Sequence, residues 1–122
     1  MIKLGLLSGA VFAWLSIVLG AFGAHALKEQ LSAYSMSVYE KAVLYQMFHA
    51  LAILLLIAIS KNIQGFNFDS SIWCFIIGII LFSGSLYILA ISDIKWLGMI
   101  TPIGGLLFIV GWFLVILKSF NL

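Results

Sequence analysis

The chain has 122 residues, of which 65% are hydrophobic and 8% are charged, and its mean hydropathy is +1.26. Soluble domains carry about a quarter charged residues, so this composition excludes an ordinary soluble domain and indicates that the chain is surrounded by lipid. The net charge is +2 and the six lysines are spread singly, whereas a nucleic-acid surface needs clustered Lys and Arg. We therefore expect no nucleic-acid partner. The only cysteine, Cys74, excludes an internal disulfide.

The ten charged residues divide the chain into four uncharged blocks. Each block holds 19 to 23 residues, and a helix that spans a bilayer needs about 20. The predicted spans are residues 4–26, 42–60, 70–92 and 96–117. The sequence therefore predicts one all-α membrane domain over residues 1–122, folded as a four-helix bundle with both termini on the same side.

The first span carries small residues that recur every three or four positions. Such a stripe lets the backbone of a neighbouring membrane helix approach closely. The residues expected on this packing face are Gly5, Gly9, Ala13, Ser16, Gly20, Gly23 and Ala24. The stripe leaves open whether the neighbour is a helix of the same chain or of a second copy. The span is also longer than the roughly 7–15 apolar residues of a signal peptide, so we expect a retained helix.

Residues before the second span predict where its helix begins. Ser37 and Glu40 fit a capping box, in which both side chains bind free backbone amides of the first turn, and a start near Tyr34 is the alternative. Tyr34, Tyr39 and Tyr45 fall near the predicted interface, where aromatic side chains are common. We expect a helix that continues without Gly or Pro to the end of the span.

The third span follows a short turn and holds several hydroxyl groups. Asp69, Ser70 and Ser71 are the candidate caps of its helix. Ser83 and Ser85 lie inside the span, where hydroxyls commonly bond to carbonyls of their own helix. We therefore expect a structural role for both serines.

The fourth span follows the third after only a few residues, so the two are expected to be antiparallel neighbours. Pro102 breaks the helix near its start, because it has no N–H and clashes with the carbonyl four residues earlier. Either Thr101 caps a helix whose first residue is Pro102, or a longer helix from Leu97 is kinked there. Gly104 and Gly105 are expected to permit close helix packing.

Uncharged polar side chains collect at one end of the predicted bundle. We call the side of the termini side A and the opposite side B. Polar groups inside a membrane are costly unless they find partners, so we expect the set to point into the bundle and the two histidines to lie near each other. His49 is expected about 10 Å below the side-B interface. The members of this predicted polar cluster are His25, Tyr45, Gln46, His49, Ser85, Tyr87 and Thr101.

Four motifs in this order resemble the signatures of a small four-helix membrane family: GAFGAHAL (residues 20–27), YQMFHAL (45–51), FSGSLYIL (82–89) and LGMITPIGG (97–105). This is domain-of-unknown-function family 423, which includes the bacterial YgdD-like and YwdK-like proteins and is similar to eukaryotic transmembrane protein 256. The resemblance covers essentially the whole chain. It implies a multi-pass protein of the bacterial cytoplasmic membrane, and it implies no activity, substrate or catalytic residue.

Two kinds of function agree with these features. The first is a structural or accessory membrane component, whose partners are the lipid bilayer and either further copies of itself or a larger membrane complex. The alternative is binding or transport of a small molecule, a lipid, a proton or an ion through a shallow pocket at the polar cluster, for which a broken helix near Pro102 is suited.

Enzymatic chemistry has little support in the sequence. There is no Ser–His–Asp set and no carboxylate within a span to act as acid or base. His25 and His49 would be the two axial ligands of a haem if one were bound, but two lone histidines are weak grounds for it. We expect no enzyme, no cofactor and no metal site.

The orientation in the membrane is not determined by charge. Cytoplasmic loops usually carry the excess of Lys and Arg, but here each side holds three lysines: Lys3, Lys61 and Lys118 on side A, and Lys28, Lys41 and Lys95 on side B. The working hypothesis is that the termini are cytoplasmic, and insertion in both orientations with antiparallel dimers is the alternative.

Overall fold

The computed structural model describes all 122 residues and contains four long helices and no strand. The helices are α1 (Ile2–Phe22), α2 (Ala33–Asn62), α3 (Asp69–Ser92) and α4 (Thr101–Ser119). A π-helical turn, Gly23–Leu27, extends α1, and a 3-10 turn, Lys95–Met99, precedes α4. All four helices are long and apolar enough to cross a membrane. The predicted all-α membrane architecture with four spans is confirmed.

The helices pack in the order in which they occur along the chain. α1 packs on α2, α2 on α3 and α3 on α4, whereas α1 and α4 do not pack against each other. In the most apolar 18-residue stretch of α2 and of α3, 44% of the residues are buried, compared with 17% in the corresponding stretches of α1 and α4. The bundle therefore has two central and two outer helices. Four alternating crossings place both termini on side A.

The outer surfaces of the bundle are strongly apolar. Trp14 and Ile17 on α1 are each 64% exposed, and Ile109 on α4 is 66% exposed. A water-soluble monomer rarely exposes apolar surface on this scale. In a bilayer these side chains lie against acyl chains, while the helices satisfy their own backbone N–H and C=O groups.

The small-residue stripe of α1 faces α2 of the same chain. A Cβ placed on Gly5 would lie 2.5 Å from Ile57 Cδ1, and one on Gly9 would lie 3.2 Å from the carbonyl oxygen of Ala50. Gly23 lies under the ring of Tyr39. The stripe is therefore occupied within the chain, which decides the question that the spacing left open. Of the other stripe positions, Ser16 is buried, Ala13 and Gly20 are half-buried, and Ala24 is exposed.

Glycines also set the distance between α3 and α4. A Cβ on Gly104 would lie 2.8 Å from Phe82 Cα, whereas one on Gly105 would come no closer than 3.6 Å, to the Phe82 ring. Gly78 of α3 makes room for the ring of Phe108 on α4. The closest approach of the two backbones is therefore at Gly104.

The predicted caps differ from those in the structure. Ser32, not Ser37, caps α2, since its Oγ accepts a hydrogen bond of 3.1 Å from the Ser35 N–H, and the predicted capping box is wrong. α3 begins at Asp69 without a side-chain cap. Thr101 does not cap α4 either, because its hydroxyl is bound to Ser85.

Pro102 lies in the first turn of α4, directly after the 3-10 turn. In the first turn of a helix an N–H has no carbonyl partner within the helix, so proline costs little there. The chain therefore changes helix type before Pro102 and has no kink within a continuous α-helix.

Candidate functional site: a polar and aromatic centre within the bundle

Gln46 joins three helices. Its side chain is 3% exposed, its Nε2 donates to the carbonyl of Phe12 on α1 at 2.9 Å, and its Oε1 accepts from the hydroxyl of Tyr87 on α3 at 2.7 Å. An amide has both donors and an acceptor, so it can bridge a carbonyl on one side and a hydroxyl on the other. The structure thus brings Gln46 and Tyr87 of the predicted cluster into direct contact.

Tyr39 extends this network toward side B. Its hydroxyl donates to the carbonyl of Leu19 at 2.5 Å, and its ring meets the Tyr87 ring edge to face with centroids 5.3 Å apart. Tyr39 is 1% exposed, so its predicted place in the exposed interfacial belt is wrong. The physical reason is Gly23, whose missing side chain leaves space for the ring between α1 and α2.

Two serines of α3 bond in different ways. Ser83 Oγ donates to the carbonyl of Ala42 on α2 at 2.8 Å, so the expected bond to its own helix is wrong for this residue. Ser85 Oγ does donate to its own helix, at the carbonyl of Phe82, and lies 2.6 Å from Thr101 Oγ1 on α4. The two hydroxyls therefore connect α3 with both of its neighbours.

His49 has both ring nitrogens engaged. The indole N–H of Trp112 donates to Nε2 at 3.2 Å, so Nε2 carries no proton in this arrangement. Nδ1 then carries the proton and donates to the carbonyl of Tyr45 at 2.7 Å. The ring stacks on Phe108 at a centroid distance of 3.6 Å and meets Phe75 edge to face at 5.2 Å. His49 is thus a neutral imidazole inside an aromatic cluster.

His49 lies deeper in the bundle than its position in the sequence suggests. Phe75 is in the side-A half of α3, and Trp112 is past the middle of α4. α2 runs from Ala33 to Asn62, so His49 lies just past the middle of that helix. Its ring therefore lies near mid-depth of the bundle, next to the side-A halves of α3 and α4.

His25 does not join the centre. It is exposed in the π-helical turn that follows α1, and its ring forms no hydrogen bond. Gln46 binds the carbonyl of Phe12 on α1. His25 comes 13 residues after Phe12, so the two positions are about 20 Å apart along the helix axis. The predicted proximity of the two histidines is wrong. At the membrane edge an imidazole can be hydrated, so His25 has no need of a protein partner.

These positions do not fit a haem with two histidine ligands. One imidazole is at the membrane edge and the other is at mid-depth, and a metal bond to His49 Nε2 would displace the Trp112 N–H. The chain also has no group of three or more His, Cys, Asp or Glu residues placed to hold a metal ion.

Tyr45 is the one member of the predicted cluster, besides His25, that faces outward. It is 40% exposed, its hydroxyl bonds to no protein group, and its ring packs on Phe82 at 4.7 Å. Together with His49 and Trp112 it lines two neighbouring grooves of about 520 and 840 Å³, the first mainly along α2 and the second mainly along α4. Their lining residues lie within the membrane-spanning segments, so in a bilayer both grooves face the acyl chains.

Sequence reasoning passed over Trp112 and gave Tyr39 and Ser83 the wrong surroundings. A signal existed for Trp112, because tryptophan usually lies at the membrane interface and this one falls within a predicted span, five residues before its end. Its N–H needs an acceptor there, and His49 is the acceptor that it finds. Nothing in the spacing shows that Ser83 reaches across to α2.

We expect His49→Ala to lower the free energy of unfolding by about 2 kcal/mol, because it removes a stacked ring and leaves the Trp112 N–H without its acceptor. Thermal unfolding in detergent micelles measures the effect. His25→Ala is the matched control and is expected to leave the melting temperature unchanged. Equal effects of the two substitutions would contradict the assignment of His49 alone to the centre.

Comparison with known proteins gives a consistent set of similarities. The model of a family described as a protein of unknown function (DUF423) matches residues 19–105. The chain is 48% identical to a UPF0382 membrane protein of Staphylococcus haemolyticus, over 98% of this chain and 97% of that protein. It is 47% identical to a UPF0382 membrane protein of Staphylococcus saprophyticus, over 98% and 99% respectively. No solved structure matches at a significant level.

Proposed function

The chain belongs to the DUF423 family of membrane proteins, whose function is unknown. We propose that it is a structural or accessory component of the bacterial cytoplasmic membrane and not an enzyme. Its relatives in two staphylococci are named as membrane proteins, and it has four helices long and apolar enough to cross a membrane. In this role the polar side chains hold the four helices in one arrangement.

One observation carries this proposal: no buried polar side-chain atom lacks a hydrogen-bond partner within the chain. Gln46 binds α1 and α3, Ser83 binds α2, and Ser85 binds Thr101 at the start of α4. A catalytic or transport site needs polar groups that are free to meet a substrate or an ion. In this chain these buried polar side chains form hydrogen bonds between helices instead.

Proton or ion transport has less support. Glu40 is exposed in the first part of α2 and Asp69 is the first residue of α3, so no carboxylate lies deep in a helix, and His49 is bound on both nitrogens. A relay through the bundle would have to break several of these hydrogen bonds at each step.

The test of an accessory role is the state of the protein in its own membrane. The protein, tagged and expressed at its natural level, is extracted directly into polymer-bounded lipid discs, and the mass of the particle is measured by native mass spectrometry. We expect an assembly of fixed stoichiometry, with further copies or with another membrane protein, rather than a single 13.4 kDa chain. A tag moved to the other terminus is the control.

Discs that contain one chain and no other protein, with either tag, would contradict the accessory role. His49→Phe and Tyr87→Phe keep most of the ring volume and are expected to leave the stoichiometry of the assembly unchanged, because both side chains act inside the bundle.

A further inference from the structure

The larger groove between α2 and α4 continues toward side B. It is lined along α4 by apolar side chains down to Ile116. A third groove, of about 410 Å³, lies beyond it at the side-B end. Phe82 and Pro102 line both. The two grooves therefore adjoin at Phe82 and Pro102, and together they are here called the α2–α4 groove.

The side-B end of the α2–α4 groove is polar and positively charged. Tyr34, Ser37 and Lys41 line it, and Lys41 is its only charged residue. Glu40, the nearest acid on the helix, lines a different groove between α1 and α2. The charge of Lys41 is therefore not balanced by an acid within its own groove, and an anion is the complementary occupant.

The remainder of the groove suits a hydrocarbon chain. From Pro102 to Ile116 the groove follows α4 for about 21 Å, which is longer than the roughly 15 Å of hydrocarbon in one leaflet. Its lining includes Leu106, Ile109 and Phe113. A polar, cationic end at the interface and an apolar channel of leaflet length match the two parts of a phospholipid.

We propose that the α2–α4 groove binds one anionic phospholipid of the side-B leaflet. The phosphate lies next to Lys41, the free hydroxyl of Tyr45 donates to an ester carbonyl, and one acyl chain runs down the groove past Trp112. This goes beyond a structural role, because it gives the protein a preferred lipid and a defined place for it.

Quenching of Trp112 fluorescence by a brominated acyl chain tests the proposal. The variant used replaces Trp14, Trp73 and Trp96 with Phe, so that Trp112 is the only emitter. It is reconstituted into phosphatidylcholine vesicles with a small fraction of chain-brominated phosphatidylglycerol or, in parallel, chain-brominated phosphatidylcholine. One lysine near an anionic headgroup predicts a preference for phosphatidylglycerol of about fivefold.

Two substitutions and one control locate the binding to the groove. Lys41→Ala is expected to bring the preference to about one, whereas Lys95→Ala, on the same side but outside the groove, is expected to preserve it. Gly105→Leu places a side chain in the groove and is expected to reduce quenching by both lipids. The Gly105 Cβ itself is accommodated, since it meets only the Phe82 ring at ordinary contact distance.

An equal preference for both lipids in the parent variant, or a preference that survives Lys41→Ala, would overturn the proposal. Equal losses for Lys41→Ala and Lys95→Ala would overturn it as well, because they would indicate a diffuse surface charge. Native mass spectrometry of the protein with all four tryptophans, which compares retained phosphatidylglycerol with retained phosphatidylcholine, gives the same ratio without dependence on the fluorescent variant.

Discussion

Gly104→Ala is expected to lower the free energy of unfolding by about 2 kcal/mol, which is within the usual range for overpacking a well-packed core. The added Cβ would press on the backbone of Phe82, and a helix backbone cannot rotate away as a side chain does. α3 and α4 would have to separate, and the Ser85–Thr101 hydrogen bond between them would lengthen. Unfolding in mixed micelles with increasing dodecyl sulfate, followed by circular dichroism, measures the change.

Gly105→Ala is the control for this prediction. Both substitutions raise helix propensity by about the same amount, up to about 1 kcal/mol, so the difference between them isolates the steric effect. At Gly105 the new Cβ makes an ordinary contact of 3.6 Å with the Phe82 ring, and no loss of stability is expected. If the two variants were equally stable, the close approach of α3 and α4 at Gly104 would be wrong.

Gln46→Leu is expected to destabilise the protein by about 1–3 kcal/mol, because it leaves the Tyr87 hydroxyl without its acceptor inside the membrane. Tyr87→Phe is expected to cost less, since the Gln46 amide keeps its bond to Phe12. The double variant is expected to lose less free energy of unfolding than the sum of the two single losses. Hydrogen bonds between membrane helices contribute about 0.6 kcal/mol on average and at most about 1.7 kcal/mol in double-mutant cycles.

The same mixed-micelle unfolding, applied to the four members of this double-mutant cycle, measures the coupling. Tyr45→Phe is the matched control, because the Tyr45 hydroxyl bonds to no protein group, and it should leave the stability unchanged. Strict additivity of the Gln46 and Tyr87 effects would show that the hydrogen bond between them contributes nothing.

The predicted polar cluster illustrates how far residue type and spacing can lead. An uncharged polar side chain deep in a span must find a partner, and that requirement is enough to predict that Gln46, His49 and Tyr87 turn inward. It does not apply to His25 at the membrane edge, where water satisfies the ring. The same reasoning misplaced Tyr39, because its position at a helix start resembles that of an interfacial tyrosine.

The partners themselves were not predictable from spacing. Ser83 bonds to Ala42, and His49 bonds to Trp112, which is 63 positions away. Pairs of this kind depend on the rotation of each helix about its axis and on how far the helices slide past each other. Neither quantity is encoded in the order of polar and apolar residues within one span, because each span is apolar on nearly every face.

The sequence by itself determined that the chain is a membrane protein, that it crosses the bilayer four times, and that small residues line one face of its first helix. These features follow from length, charge and hydropathy, which can be read for each segment separately. Only the tertiary structure decided that this face meets α2 of the same chain, that α1 and α4 remain apart, and that a groove runs between α2 and α4. These features depend on packing between helices. In a membrane the surroundings are as apolar as the helix faces, so hydrophobicity does not select one contact over another, and close fit and hydrogen bonds do.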